Sequence, residues 1–195
     1  MNKLVISFIS IALLIAACKS KSNKQLAKQQ SIADTAKYYP IDNFVKEQMK
    51  FVDLRDFVIH QTLTKDSSES NEIIDKSIFL VEAAKVLSVA NEFIKQKQLF
   101  KESVFQDLST ASYTINYTPT DPSLAIQRID VLLSEETNII KRLFIRTALT
   151  ENGITTTQQI SWLADHQFQI SQSKIINGTN FEEQTVISWD KVLNK

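Results

Sequence analysis

Residues 139–163 read IIKRLFIRTALTENGITTTQQISWL, and residues 167–189 read QFQISQSKIINGTNFEEQTVISW. In each stretch an Asn-Gly pair separates two runs of alternating apolar and polar side chains, and the chain has only 2 glycines. Both central residues of a type I′ turn need a positive φ, which asparagine and glycine adopt more readily than other residues. The pattern therefore predicts two successive β-hairpins, connected by Ala164-Asp165-His166. Their strands are expected at 139–151, 154–163, 167–176 and 181–189.

The residues before these hairpins extend the same pattern. Residues 112–118 alternate aromatic or apolar side chains with polar ones, as a half-buried strand does. Residues 124–134 are expected to pair with 139–150 around a loop at 135–138. Together these segments predict an antiparallel meander of five or six long strands.

Two helices are expected to precede the meander. The first follows Pro40, and Asp42 is its predicted N-cap. The second follows Asp75, which caps it, and covers residues 76–94, where apolar side chains recur at three- and four-residue intervals. A short helical piece is expected at 96–104.

Between the helices, the sequence predicts a strand at 56–64, a turn at 65–70 and a short return strand at 71–74. Long antiparallel strands coil, and a helix packed on one face buries the apolar side of a sheet. The predicted fold class is therefore α+β, with a single domain over residues 38–195. We expect a curved antiparallel β-sheet, a meander or half-barrel, packed on one or two helices.

The only cysteine of the chain, Cys18, ends the only long apolar run. Lys3 supplies a positive charge, and residues 4–17 are almost wholly apolar. A charged start, a short apolar middle and small residues before a cleavage point are typical of a secretory signal peptide. A membrane-spanning helix needs about 20 apolar residues, more than this run supplies. Residues 1–17 are therefore expected to be a signal peptide.

The sequence Ile15-Ala16-Ala17-Cys18 resembles the lipobox of bacterial lipoproteins. The resemblance implies that Cys18 is acylated, becomes the first residue of the mature chain and anchors the protein to a membrane. Residues 18–37, which are polar and rich in lysine, are then the lipidated cysteine and a flexible basic tether. In enterobacterial lipoproteins an aspartate after the cysteine retains the protein in the inner membrane. Lys19 at this position implies the outer membrane, with the domain facing the periplasm.

Four stretches also resemble a group of uncharacterised lipoproteins from Bacteroidota. They are YYPIDNFVKEQMKFVD (38–53), TPTDPSLAIQRIDVLL (118–133), KRLFIRTAL (141–149) and ISWLADHQFQI (160–170). This resemblance implies no activity. A looser likeness, of architecture alone, is to half-barrel lipoprotein carriers and outer-membrane assembly lipoproteins.

Composition excludes several classes of function. From Tyr38 onward there are 16 lysines and arginines against 21 carboxylates, a net charge of −5, which argues against nucleic-acid binding. One cysteine permits no intramolecular disulfide. The chain has 2 histidines, His60 and His166, which do not form a spaced metal cluster. We therefore expect no catalytic residue, no metal and no cofactor.

Four residues are candidates for binding a ligand. Arg142 and Arg146 share one strand face with Phe144 between them, an arrangement that suits an acidic ligand or a lipid head group. The alternative is that these arginines, together with Arg128, pair with Asp130 and Glu136.

Trp162 is the fourth candidate and belongs to an apolar set on the two carboxy-terminal hairpins. That set forms either the core beneath the helices or the wall of an apolar groove able to hold an acyl chain. Its members are Trp162, Phe168, Ile170, Ile187 and Trp189.

These features suit three functions to different degrees. The first is a membrane-anchored cell-envelope lipoprotein that binds a partner or assembles with other envelope components, without enzymatic activity. The alternative is a carrier of a lipid or other apolar ligand, held in a half-barrel groove lined by residues such as Trp162 and Phe144. An enzyme ranks third, because the residues that most chemistries need are missing or isolated.

Overall fold

Both Asn-Gly pairs form the expected turns in the computed structural model, which describes residues 38–191. Asn152 and Gly153 have φ of 52° and 78°, and Asn177 and Gly178 have φ of 51° and 80°. Positive values at both central positions are what a type I′ turn requires. The strands that flank these turns have the bounds that the alternation predicts, within two residues.

The described residues form two α-helices and nine strands. The helices are α1 (Ile41–Asp53) and α2 (Lys76–Gln96), and the strands are β1 (Phe57–Lys65), β2 (Ser68–Ile74), β3 (Phe100–Asp107), β4 (Ser112–Pro119), β5 (Ile126–Ser134), β6 (Ile140–Glu151), β7 (Ile154–Leu163), β8 (Gln167–Ile176) and β9 (Thr179–Lys191). The predicted signal peptide, Cys18 and the tether lie outside the described residues. No helix within residues 38–191 is long and apolar enough to cross a membrane.

All nine strands belong to one antiparallel sheet in the order β2-β1-β9-β8-β7-β6-β5-β4-β3. Strands β3 to β9 form a continuous meander, and the β1–β2 hairpin joins it through β1 and β9. The sheet is curved, is not closed and packs with the two helices. The predicted α+β class with a curved antiparallel sheet is confirmed, although the meander has seven strands, β3 to β9, where five or six were expected.

Three local predictions are wrong. Residues 96–104 form a 3₁₀ turn at Lys97–Leu99 and then strand β3, because Phe100 packs against Phe93 and leads the chain directly into the sheet. The turn expected at 65–70 contains only two residues, and Asp66 reaches a φ of 49° there. Strand β2 therefore begins at Ser68 and is longer than expected.

The third error concerns the first helix. Helix α1 begins at Ile41, directly after Pro40, and has no side-chain cap. Asp42 lies inside the helix, where its carboxylate accepts a hydrogen bond from Lys46 Nζ at 2.7 Å. Pro40 is the N-cap, and its carbonyl accepts a hydrogen bond from Phe44 N–H at 3.4 Å, so the cap lies two residues before the expected one.

Both helices pack on the same face of the sheet. The inward residues of α2 lie at three- and four-residue intervals and are fully buried; they are Phe79, Ala83, Val86, Ala90 and Phe93. Asp75 caps this helix as predicted, since its carboxylate accepts a hydrogen bond from Ile78 N–H at 3.0 Å. The apolar set of the carboxy-terminal hairpins is therefore core beneath the helices.

Candidate functional site: the polar face

The sheet face opposite the helices is lined mainly by serine, threonine and glutamine. We call it the polar face. Across β7, β8 and β9 it presents side chains that alternate with the buried apolar ones of the other face. They are Thr157, Gln159, Ser161, Gln169, Ser171, Ser173, Gln184 and Ser188. This face is open to solvent and can make polar contacts without disturbing the core.

A depression of about 490 Å³ lies on the polar face over strands β4 to β8. We call it the Phe144 depression. Its wall combines charged, amide, hydroxyl and apolar groups, namely Thr114, Arg128, Asp130, Leu132, Arg142, Phe144, Gln159, Ser161, Gln169 and Ser171. Phe144 is half-buried and lies opposite Asp130 on one side and Ser161 on the other. The ring is thus flanked by polar groups of both neighbouring strands.

One arginine of the depression is neutralised within the sheet. Arg128 Nε donates to both Asp130 oxygens, at 3.0 and 2.8 Å. The Asn116 amide also donates to Asp130, and its own oxygen accepts from the Thr118 hydroxyl at 2.9 Å. Arg128 therefore pairs with Asp130, as the alternative interpretation of the sequence expected. The two residues, however, belong to the same strand, β5, and not to neighbouring strands.

The other two arginines have no ion pair within residues 38–191. Arg142 and Arg146 are both exposed, and neither pairs with Glu136. Arg146 lies directly opposite Arg128, and like charges in opposed positions destabilise a sheet. Arg146 does not line the depression, but Gln159, which lies opposite Arg146 on β7, does line it. This side of the polar face therefore has an excess of positive charge that an anion can compensate.

Trp162 is separated from the other three candidates. It lies opposite Leu143 on the helix side of the sheet and is fully buried. Its ring stacks on Phe168 at 4.6 Å between centroids and meets Phe44 of α1 edge-on at 6.3 Å. No single groove is lined by both Trp162 and Phe144.

The sequence contained the information that separates these residues. A two-residue turn at Asn152-Gly153 fixes the register of β6 and β7. Counting back from the turn pairs Phe144 with Ser161 and Leu143 with Trp162. The same count indicates that Gln159 and Ser161 share the face of Phe144, which the sequence interpretation missed.

A second opening lies on the helix side of the sheet. This groove of about 480 Å³, which we call the α2 groove, runs between α2 and the far ends of β6, β7 and β8. Val89, Ile126 and Leu149 give it an apolar lining, while Glu92 and Lys174 supply charges. The α2 groove is an accessible part of the helix side of the sheet.

Both histidines of the chain, His60 and His166, are exposed. Within residues 38–191, neither makes a side-chain hydrogen bond. No group of three histidine, cysteine or acidic side chains in residues 38–191 is placed to hold a metal ion.

The first described residues are held firmly against the sheet. Tyr38 N–H donates to Glu102 Oε2 at 3.0 Å, and Tyr39 N–H donates to the Tyr117 hydroxyl at 2.7 Å. Burial raises the pKa of Tyr117 well above its ordinary value of 10.0, and the neighbouring Glu102 raises it further. Tyr117 therefore stays neutral at physiological pH, and this contact does not act as a pH switch.

Comparison with protein-family models, curated proteins and solved structures found no match for this chain.

Proposed function

We propose that this chain is a membrane-anchored lipoprotein of the bacterial cell envelope, and that its domain acts by binding, without catalysis, at the Phe144 depression. The lipobox-like sequence ending in Cys18 supports the anchor. The observation that carries the binding site is an open depression of about 490 Å³ in which Arg142, free of any ion pair within residues 38–191, lies near an aromatic ring.

The groups around the depression define the ligand chemistry. An arginine guanidinium forms paired hydrogen bonds with a carboxylate or a phosphate. The ring of Phe144 offers an apolar contact, and Ser161 and Gln169 offer hydroxyl and amide groups. The ligand is therefore a polar molecule or chain that bears a carboxylate or phosphate, carried by another component of the envelope.

A carrier of a lipid or other apolar ligand is the second candidate, and the α2 groove favours it. Val89, Ile126 and Leu149 line a space of about 480 Å³ there. If the protein is such a carrier, its ligand lies in the α2 groove and not against Trp162, because Trp162 is enclosed in the core.

One binding experiment separates the two sites. The full chain, extracted from membranes in mild detergent, is examined by native mass spectrometry and titrated with inorganic phosphate, citrate and short-chain phosphatidylglycerol. Arg142→Ala is expected to weaken binding of the preferred anion about tenfold, the loss of one strong charge-assisted contact. Phe144→Ala is expected to weaken it less.

The matched control is Lys50→Ala. It removes one exposed positive charge from α1, on the helix side of the sheet, and is expected to bind as the wild type does. If Val89→Asp abolishes a co-purifying lipid mass while Arg142→Ala leaves it unchanged, the carrier at the α2 groove is supported and the Phe144 site is wrong.

The anchor is tested independently by intact mass and membrane fractionation. The wild-type chain is expected in the membrane fraction, with its mature chain beginning at Cys18 and carrying acyl groups. Cys18→Ala is expected to lose the acyl mass. A wild-type protein with a free Cys18 thiol would contradict the anchor and leave the binding result to be judged separately.

A further inference from the structure

One edge of the sheet has unbonded backbone groups. Within residues 38–191, strand β3 pairs only with β4. Thr120 N–H donates to Leu99 O at 2.8 Å, and this pair continues the register in which Phe100 lies opposite Pro119. Bonded residues alternate along an antiparallel strand, so the odd-numbered residues of β3 bond to β4. The N–H and C=O groups of Glu102, Val104 and Gln106 therefore point away from the sheet, and no described residue bonds to them.

The two edges of the sheet differ in charge. The other edge strand, β2, carries Glu69 and Glu72 and no basic residue. Two copies paired through their β2 strands would therefore bring carboxylates together with no cation on either strand. Strand β3 carries Lys101 near its start and Asp107 at its end. Lys101 is exposed and has no ion pair within residues 38–191. When two β3 strands lie antiparallel, the Lys101 end of one is beside the Asp107 end of the other, so their charges are complementary.

We propose that two copies of this chain associate through antiparallel pairing of their β3 strands, about a two-fold axis at Val104. Even-numbered residues must face even-numbered ones for the outward backbone groups to bond. Centring the axis on Val104 satisfies this condition and places Lys101 opposite the partner's Asp107 twice. Centring it on Ser103 places Lys101 opposite the partner's Phe105 and gives no ion pair.

The same register accounts for an exposed aromatic residue. Phe105 is 66% exposed on its edge strand, and exposed apolar edges promote strand pairing. In the proposed dimer Phe105 lies opposite the partner's Ser103, in a non-hydrogen-bonded pair where side chains approach closely. The result is one sheet continuous across both copies. This inference goes beyond the proposed binding function and does not depend on it.

The test is disulfide crosslinking of the full chain in membranes of the expressing cells. In the proposed dimer the two copies of Val104 form a hydrogen-bonded pair, with Cα atoms about 5.5 Å apart, within the range that a disulfide spans. Val104→Cys is therefore expected to give a crosslinked dimer under mild oxidation. Ser70→Cys, exposed on the other edge strand, and the wild type, with Cys18 alone, are expected to give several-fold less.

Charge exchange tests the register. In the Val104→Cys background, Lys101→Glu faces the partner's Asp107 and is expected to lower the crosslinked fraction several-fold. Adding Asp107→Lys restores opposite charges and is expected to restore the crosslink. An unchanged urea midpoint confirms that each variant is folded. The proposal is overturned if Val104→Cys crosslinks no more than Ser70→Cys, if it crosslinks to another protein, or if the double exchange fails to restore the dimer.

Discussion

Gln48 is one of the few buried polar side chains of the described domain, with 8% of its surface exposed. Its amide nitrogen donates to Asp165 Oδ1 at 2.9 Å, and its amide oxygen accepts from Asp165 N–H at 2.8 Å. Asp165 lies in the turn between β7 and β8 at a φ of 62°. This reciprocal pair joins α1 to a turn that is 117 residues away in the chain.

Replacing Gln48 by alanine is expected to lower the free energy of unfolding by about 1–3 kcal/mol, because two part-buried hydrogen bonds to Asp165 are lost. Urea denaturation of the purified protein measures this. Gln98→Ala, which removes an exposed glutamine with no hydrogen bond in the structure, serves as the control and should change little. An equal effect of the two substitutions would show that the reciprocal pair contributes nothing.

At the scale of single elements, the hairpin turns depend on backbone conformation alone. A Cβ added at Gly178 would meet no atom within 4 Å, yet the residue has a φ of 80°. Gly178→Ala is therefore expected to cost about 1–2 kcal/mol through backbone strain. Thermal unfolding measures the loss, and Lys174→Ala, at an exposed position of the adjoining strand, is a control without a change of φ. A neutral Gly178→Ala would contradict the turn assignment.

The start of α2 is expected to weaken in acid. Hydrogen bonds from the Ser77 side chain and the Ile78 backbone hold the pKa of Asp75 below its ordinary value of 3.8. A carboxyl whose pKa is lowered by folding stabilises the protein above the unfolded value, and this contribution is lost as the pH falls through the lower folded value. The Asp75 contribution is therefore present above pH 3.8 and disappears below it.

Urea midpoints measured across this pH range test that expectation. Asp75→Asn keeps a capping oxygen but does not ionise there, so its midpoint should fall less steeply in acid than that of the wild type. Asp53→Asn removes a carboxylate from α1 that makes no side-chain hydrogen bond in the structure, and it provides the comparison. Parallel acid curves for wild type and Asp75→Asn would contradict the assigned role.

At the scale of the whole molecule, the helices fill the side of the sheet that a carrier would keep empty. Phe44 of α1 contacts Trp162, and Phe79 of α2 meets Trp189 edge-on at 5.5 Å. Openings large enough for a ligand are found on the polar face and beside α2. Because the helices fill the apolar side of the sheet, the polar face is a better candidate for a binding site than an apolar carrier cavity.

The same packing predicts cooperative unfolding. The 2 tryptophans of the chain, Trp162 and Trp189, are both buried between sheet and helices, and single domains of this size usually unfold in one transition. Tryptophan fluorescence and far-ultraviolet circular dichroism are therefore expected to give the same urea midpoint. Loss of the helical signal before the fluorescence change would show that the helices detach independently.

The sequence by itself determined the elements whose causes are local. Asn-Gly pairs require positive φ, alternation specifies which side chains share a face, and Asp75 caps the helix whose apolar stripe follows it. The register of β6 and β7 was also implied, since the Asn152-Gly153 turn sets it, and with it the separation of Phe144 from Trp162. Arg142 and Phe144 were found because they lie two residues apart on one strand.

Only the tertiary structure decided the features that depend on distant residues. The pairing of β1 with β9 joins segments more than a hundred residues apart, and no local pattern specifies such a partner. Strand β3 had a composition that also suits a helix, and packing of Phe100 on Phe93 decided between them. Whether the apolar side of the sheet was core or groove depended on where both helices pack, because burial is a property of the assembled layers.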